Sequence, residues 1–155
     1  MRRMWILAGV LLAAVAAAGQ EAAKLVYVPG TQIEEDIRKA PANNGEQEIN
    51  LIERTPGHAG ILLRRTLPGK AEVHTEETDI WYVIDGGCIL VTGGSLIDAK
   101  QESPGQIRGS GISGGEEQKI GKGDFIRIPN GVPHWVKKID GGEIVYTVVK
   151  YVEPK

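Results

Sequence analysis

The stretch GKGDFIRIPNGVPHWV, Gly121 to Val136, holds a complete structural instruction. A turn ending at Gly123 and Asp124 launches a strand that stops at Pro129. Asn130, Gly131, Val132 and Pro133 then make a rigid corner that delivers His134 at the start of the next strand. Proline fixes its own backbone angle and glycine permits the tight reversal, so one imidazole is aimed by its surroundings.

Upstream, EVHTEETDIWYVIDGG (Glu72 to Gly87) sets a histidine among carboxylates, then turns apolar and closes on two glycines. Glu72 and His74 are two apart on a predicted strand, so their side chains leave the same face. Burying such a carboxylate set unpaired is costly, and a divalent cation removes that cost. The competing reading is a solvated acidic edge with an incidental histidine.

Further out the same style continues. Short runs rich in β-branched residues, INLIERT, GILLRRTL, AEVHT, DIWYVI, CILVTG, DFIRIP, HWVKKI and EIVYTVVKYV, are separated by glycine-rich turns, and the chain has 21 glycines. That pattern predicts an all-β sandwich or barrel. TQIEEDIRKAP predicts one short helix before it, opened by Thr31 with Glu34 three residues on and closed by Pro41. The longest interruption, about Leu96 to Gly121, reads as an extended loop or loose hairpin over one end of the barrel.

The spacing Gly123-x5-Pro129-x-Gly131-x2-His134 matches the second motif of the cupin superfamily, which the chain resembles over roughly Leu51 to Tyr151. The first motif of that family, His-x-His, a short gap, a glutamate and six residues to a glycine, falls on Glu72, His74, Asp79 and Gly86. Glu72 then stands for a histidine and Asp79 for a glutamate. A second register takes Glu76 as the alternative ligand. The resemblance implies a double-stranded β-helix, a jelly-roll-like barrel with a central pocket, holding a metal through Glu72, His74, Asp79 and His134.

Two imidazoles and two carboxylates would leave a divalent ion near zero charge, and hard oxygen ligands favour Mn or Fe, with Zn or Ni still open. Alternation places Trp81 on the face of Asp79 and Lys138 on that of His134, as pocket residues, and Arg108 in the glycine-rich segment could clamp a carboxylate. Tyr82 and Trp135 should point the other way, and His58 belongs to neither motif. No catalytic residue is assigned. The chain reads either as a metal-dependent enzyme (isomerase, lyase or dioxygenase) or as a binding module for a small oxygenated, anionic molecule.

The chain has 155 residues, 41% hydrophobic and 25% charged, which suits one globular domain. MRRMWILAGVLLAAVAAAG (1–19) has a basic start, an apolar run and small residues, which predicts a secretory signal cleaved near Ala18 or Gly19. Its apolar part is shorter than the roughly 20 residues that span hydrocarbon. A periplasmic or secreted protein without a stable membrane anchor follows. The expected division is signal (1–19), extension with the helix (20–47) and barrel (48–155).

Loss of Arg2 and Arg3 moves the formal charge from −2 to −4, which argues against nucleic acid as a partner. The single cysteine, Cys88, has no internal disulfide partner and is expected to be buried. Pairing of two copies into a homodimer is what the cupin resemblance implies.

Overall fold

The computed structural model describes residues 25–39, 46–55 and 57–153. The expected signal segment lies outside them, and no helix among them is long and apolar enough to cross a membrane. Among the described residues one helix, α1 (Gly30–Lys39), precedes eleven strands. These are β1 (Glu46–Thr55), β2 (His58–Arg65), β3 (Ala71–His74), β4 (Glu77–Thr92), β5 (Ser95–Ile97), β6 (Lys100–Ser103), β7 (Gln106–Gly109), β8 (Gly111–Ser113), β9 (Glu116–Gly121), β10 (Phe125–Ile128) and β11 (His134–Val152).

The helix starts one residue earlier than Thr31, because the Pro29 carbonyl accepts from the backbone N–H groups of Gln32 and Ile33. Its last turn carries Arg38 and Lys39, favourable against the carboxyl end of the helix dipole.

Two pairs of expected strands are each one long strand. β4 runs through Gly86 and Gly87, and β11 runs through Gly141 and Gly142. The glycine pairs are bulges, not turns, and they lie together: Asp140 pairs with Gly87 and Ile144 with Gly86, with a register shift between them. A bulge adds a residue to one strand and bends the pair, so both strands curl from one side of the barrel to the other.

β11 is the organising strand. Its first half pairs with β3 and β4, and its second half lies between β2 and β4. β10 and β9 extend β4, while β7 and β6 extend β3, giving one curled antiparallel sheet. The architecture is the double-stranded β-helix that the sequence resemblance implies.

Alternation decides the core. Trp81, Val83, Leu90, Val136, Tyr146 and Val148 fill the interior with Leu63, Ile128 and Ile144. Cys88 is fully buried there, and burial pushes its thiol up to about 12, which keeps it protonated and unreactive.

The expected loop from Leu96 to Gly121 is instead a folded meander of short strands. β5 and β8 pair with each other, β7 pairs with β3, and β9 pairs with β4. Gly105 and Gly114, both with φ near +75, make its turns. Its glycine content therefore marks hairpins, and one of them lines the interior.

Candidate metal centre

Strand register brings the polar residues together. On β3, Glu72 faces His134 on one side and Arg108 on the other, while His74 faces Gln106. On β4, Asp79 stands opposite Lys150 of β11. Each is a directly opposed pair, the geometry that holds cross-strand side chains closest.

The two histidines are aimed by their outer nitrogens. His134 Nδ1 lies 3.1 Å from the Val132 carbonyl, which can only accept, so Nδ1 carries the proton and Nε2 presents a lone pair inward. His74 Nδ1 sits 2.5 Å from Gln106 Oε1. The Gln106 amide N–H donates to Glu77 Oε2 at 3.2 Å, which orients that amide and makes its oxygen the acceptor. His74 therefore also turns an Nε2 lone pair into the interior.

Glu72, His74 and His134 each offer one atom to a common centre, with those atoms within 4.8 Å of one another. His134 Nε2 is buried and has no hydrogen-bond partner. Glu72 Oε1 lies 3.4 Å from it, and Glu72 Oε2 lies 3.8 Å from His74 Nε2. His134 Nε2 and Glu72 Oε1, two facing acceptors with no donor between them, need a proton or a metal cation there, because buried polar atoms rarely go unpaired. The residues present fit a divalent ion.

Burial by itself would raise the Glu72 carboxyl. His134 whenever its ring is protonated, then the Arg108 guanidinium and a protonated His74, outweigh burial and hold it far below the usual carboxylate range. It stays ionised, as a ligand must.

His74 moves down. Desolvation is the larger cause and the Lys150 ammonium the next, with Asp79 and Glu72 opposing. A depressed folded-state value means that the native form resists the proton that the unfolded chain accepts at about 6.5. The stabilisation from neutral His74 is complete above that pH and is lost as pH falls below it. Chelator-treated protein should lose melting temperature from pH 7 to 5 with a slope that His74→Gln flattens; an unchanged slope would contradict it.

Asp79 is near the same centre, with Oδ2 3.6 Å from His74 Nε2 and 3.9 Å from His134 Nε2. Its oxygens are engaged elsewhere. Lys150 Nζ donates to Oδ1 at 2.7 Å and Oδ2 at 2.9 Å, and Trp81 Nε1 donates to Oδ2 at 3.3 Å. Lys150 spends its remaining N–H on His74 Nε2 at 2.7 Å.

A cavity of about 70 Å³ opens beside these groups, walled by Trp81, Val148 and Tyr146 and reached by Arg108 and Arg65. Arg108 pairs with Glu72. Arg65 is buried, donates through Nε to the Tyr146 hydroxyl at 2.9 Å, and pairs with Glu46 across the β1–β2 ladder. A Cβ on Gly69 would stand 2.5 Å from the Arg65 guanidinium, so the glycine before β3 leaves room for that arginine.

Glu76 and Lys138 are elsewhere. Glu76 is exposed after β3, and its half-buried neighbour Glu77 instead pairs with Arg54 and accepts from Gln106. Lys138 is exposed because the register shift between Val136 and Lys138 breaks the alternation counted from His134. Tyr82 is 49% exposed on the outer face, and half-buried Trp135 donates to the Gly69 carbonyl at 2.8 Å. His58 is exposed beside Thr55.

Sequence reading missed Lys150, Arg65, Tyr146 and Gln106. Lys150 had a usable signal: in EIVYTVVKYV it continues the alternation Ile144, Tyr146, Val148, which faces the core.

No family model and no curated protein sequence matches the chain. Solved structures do. The cupin domain of Cnp3 from Schizosaccharomyces pombe superposes with TM-score 0.55 at 8% identity, over 76% of this chain and 72% of that one. An uncharacterised protein with a double-stranded β-helix domain from Klebsiella pneumoniae gives 0.53 at 16%, over 72% and 81%. The iron(II) form of HppE gives 0.50 at 15%, over 68% of this chain and 50% of that one. At these identities the likeness is one of fold.

Proposed function

We propose that this cupin-fold protein holds a divalent metal ion through Glu72, His74 and His134 and receives a small anionic, oxygen-rich molecule in the adjoining cavity. The carrying observation is the buried, unpartnered Nε2 of His134, facing a carboxylate oxygen at 3.4 Å. Two imidazoles with one carboxylate suit ferrous iron in particular, and manganese is the next candidate. A cupin-fold protein with iron(II), HppE, is in keeping with that choice.

The anionic character of the ligand follows from charge. Four carboxylates and four basic side chains line the cavity and cancel. A divalent ion adds a net positive charge, and Arg108 and Arg65, already paired with Glu72 and Glu46, would share their remaining N–H groups with an oxyanion. When bound, the metal would supply Lewis acidity and open coordination positions. The chain's own residues would orient the ligand, exclude water through Trp81 and Val148, and hold Glu72 ionised. Export after cleavage near Ala18 or Gly19, and pairing of two copies, belong to the same reading.

A second reading is a metal-free binding module, favoured by the Lys150 ammonium, which already neutralises Asp79. Elemental analysis of protein purified without added ions separates the two. About one equivalent of metal is expected in the natural sequence and almost none in His74→Ala or His134→Ala, with a rise in melting temperature only where metal binds. Full retention in either variant would remove that residue from the centre. Absence of uptake by the natural sequence would hand the site to the second reading.

A further inference from the structure

We infer that Lys150 is a built-in counter-cation that keeps Asp79 out of the metal's ligand set, leaving Glu72, His74 and His134 to hold the ion alone. This rests on the metal reading above and sets how many protein ligands the ion has. It also assigns a role to a residue outside both cupin motifs.

Lys150 and Asp79 are directly opposed across β11 and β4, so their pairing is part of the strand register. The Lys150 and Asp79 side chains are only 10% and 3% exposed. An ammonium has three N–H groups, and here they go to Asp79 Oδ1, Asp79 Oδ2 and His74 Nε2. Neither Asp79 oxygen is left without a donor, and Oδ2 takes Trp81 as well.

Glu72 is built differently. Arg108 pairs with Oε2, while Oε1 faces the orphaned His134 nitrogen. One carboxylate therefore has an oxygen that no donor has claimed, and the other has both oxygens held by the ammonium. Pulling Asp79 onto a metal would strand a buried ammonium, and breaking a buried pair on one side is strongly unfavourable.

Lys150 also claims His74 Nε2, the lone pair a metal would use. An incoming ion must take that contact while Lys150 keeps its two bonds to Asp79. The lysine thus limits the site to three protein ligands and lowers its affinity. A three-ligand site leaves more coordination positions open to the small molecule than a four-ligand site does.

The test compares Mn²⁺ and Co²⁺ affinities by chelator competition in the natural sequence, Lys150→Met, the double variant Asp79→Asn/Lys150→Met, and Glu72→Gln. The double variant removes one charge of each sign and so leaves the local charge unchanged. It should bind within about threefold of the natural sequence, whereas Glu72→Gln should bind at least about a hundredfold more weakly. Lys150→Met should bind at least about tenfold more tightly, because a freed carboxylate joins and a repelling charge leaves. Its Co²⁺ absorption should change, while that of the double variant stays the same.

If the double variant falls as far as Glu72→Gln, Asp79 is a ligand in the natural protein and the inference is overturned. Weaker binding by Lys150→Met overturns it too. Should Lys150→Met fail to fold, the double variant, which buries no lone charge, decides alone. Binding that ignores Glu72→Gln, or no binding in any variant, rejects the metal reading itself and the inference with it.

Discussion

Asp79→Ala is expected to destabilise the protein by about 3–5 kcal/mol, because it leaves the Lys150 ammonium buried without its counter-ion. The lysine cannot simply swing into water. Its side chain is 10% exposed on the inward face of β11, in the small cavity that Trp81 and Val148 also line. The Trp81 indole N–H loses its acceptor in the same step. Denaturant unfolding in the presence of chelator would show the loss as a lower midpoint with an unchanged slope.

The charge-neutral Asp79→Asn/Lys150→Met pair should recover most of that loss, since replacing both members of a buried ion pair is far cheaper than removing one. A single-variant cost below about 1 kcal/mol, the range of exposed ion pairs, would mean that Lys150 escapes to solvent. The contacts between Lys150, Asp79 and His74 would then be incidental. The same measurement thus bears on the stability of the barrel and on the identity of its ligands.

Gly86→Ala is expected to do comparable or greater damage, and for a reason that lies wholly in the backbone. Gly86 has φ near +69, and a Cβ there would lie 1.9 Å from the Glu143 carbonyl oxygen. That oxygen belongs to β11, held on both sides by β2 and β4, so the clash is between two strands and not with a flexible side chain. The bulge would have to open, and with it the shift that carries β11 from one face of the barrel to the other.

Gly141→Ala supplies the control. Its φ is near +74, yet a Cβ there meets nothing within 4 Å, so it should cost only the backbone penalty of about 1 kcal/mol. Equal, small losses in both variants would show that the Gly86–Glu143 contact does not hold the bulge. Reduced soluble yield or a melting temperature lowered several-fold more for Gly86→Ala is the expected pattern.

Much of the architecture was legible because period-two alternation reports burial. Trp81, read on the face of Asp79, is buried, and so are Val83 and Val136, which alternate with Asp79 and His134. Alternation failed only where a bulge intervened. Lys138 lies beyond the shift after Val136 and is turned outward, while the glycine pairs at 86–87 and 141–142 read as turns although they sit inside continuous strands. A glycine that permits positive φ serves a hairpin and a bulge equally well, so local sequence cannot say which.

The candidate centre was legible in part. His74 and His134 were found through spacing, and Glu72 through its place two residues from His74. Arg108 was flagged as a possible clamp for a ligand carboxylate, yet it lies on a strand and pairs with Glu72. The partner of Asp79 was invisible from its own neighbourhood, because Lys150 is 71 residues away and meets it only through register.

By itself the sequence determined what is local: which residues alternate, where the backbone must take positive φ, and which corner presents His134. It also set the donor types, two imidazoles among carboxylates. Tertiary structure alone decided how those donors are shared. Pairing β11 with β3 puts Glu72 against His134, and pairing it with β4 puts Lys150 against Asp79, so one carboxylate faces an open nitrogen and the other an ammonium. The physical reason is that charge interactions act across space while alternation acts along the chain, and only the closed barrel sets the distances between strands.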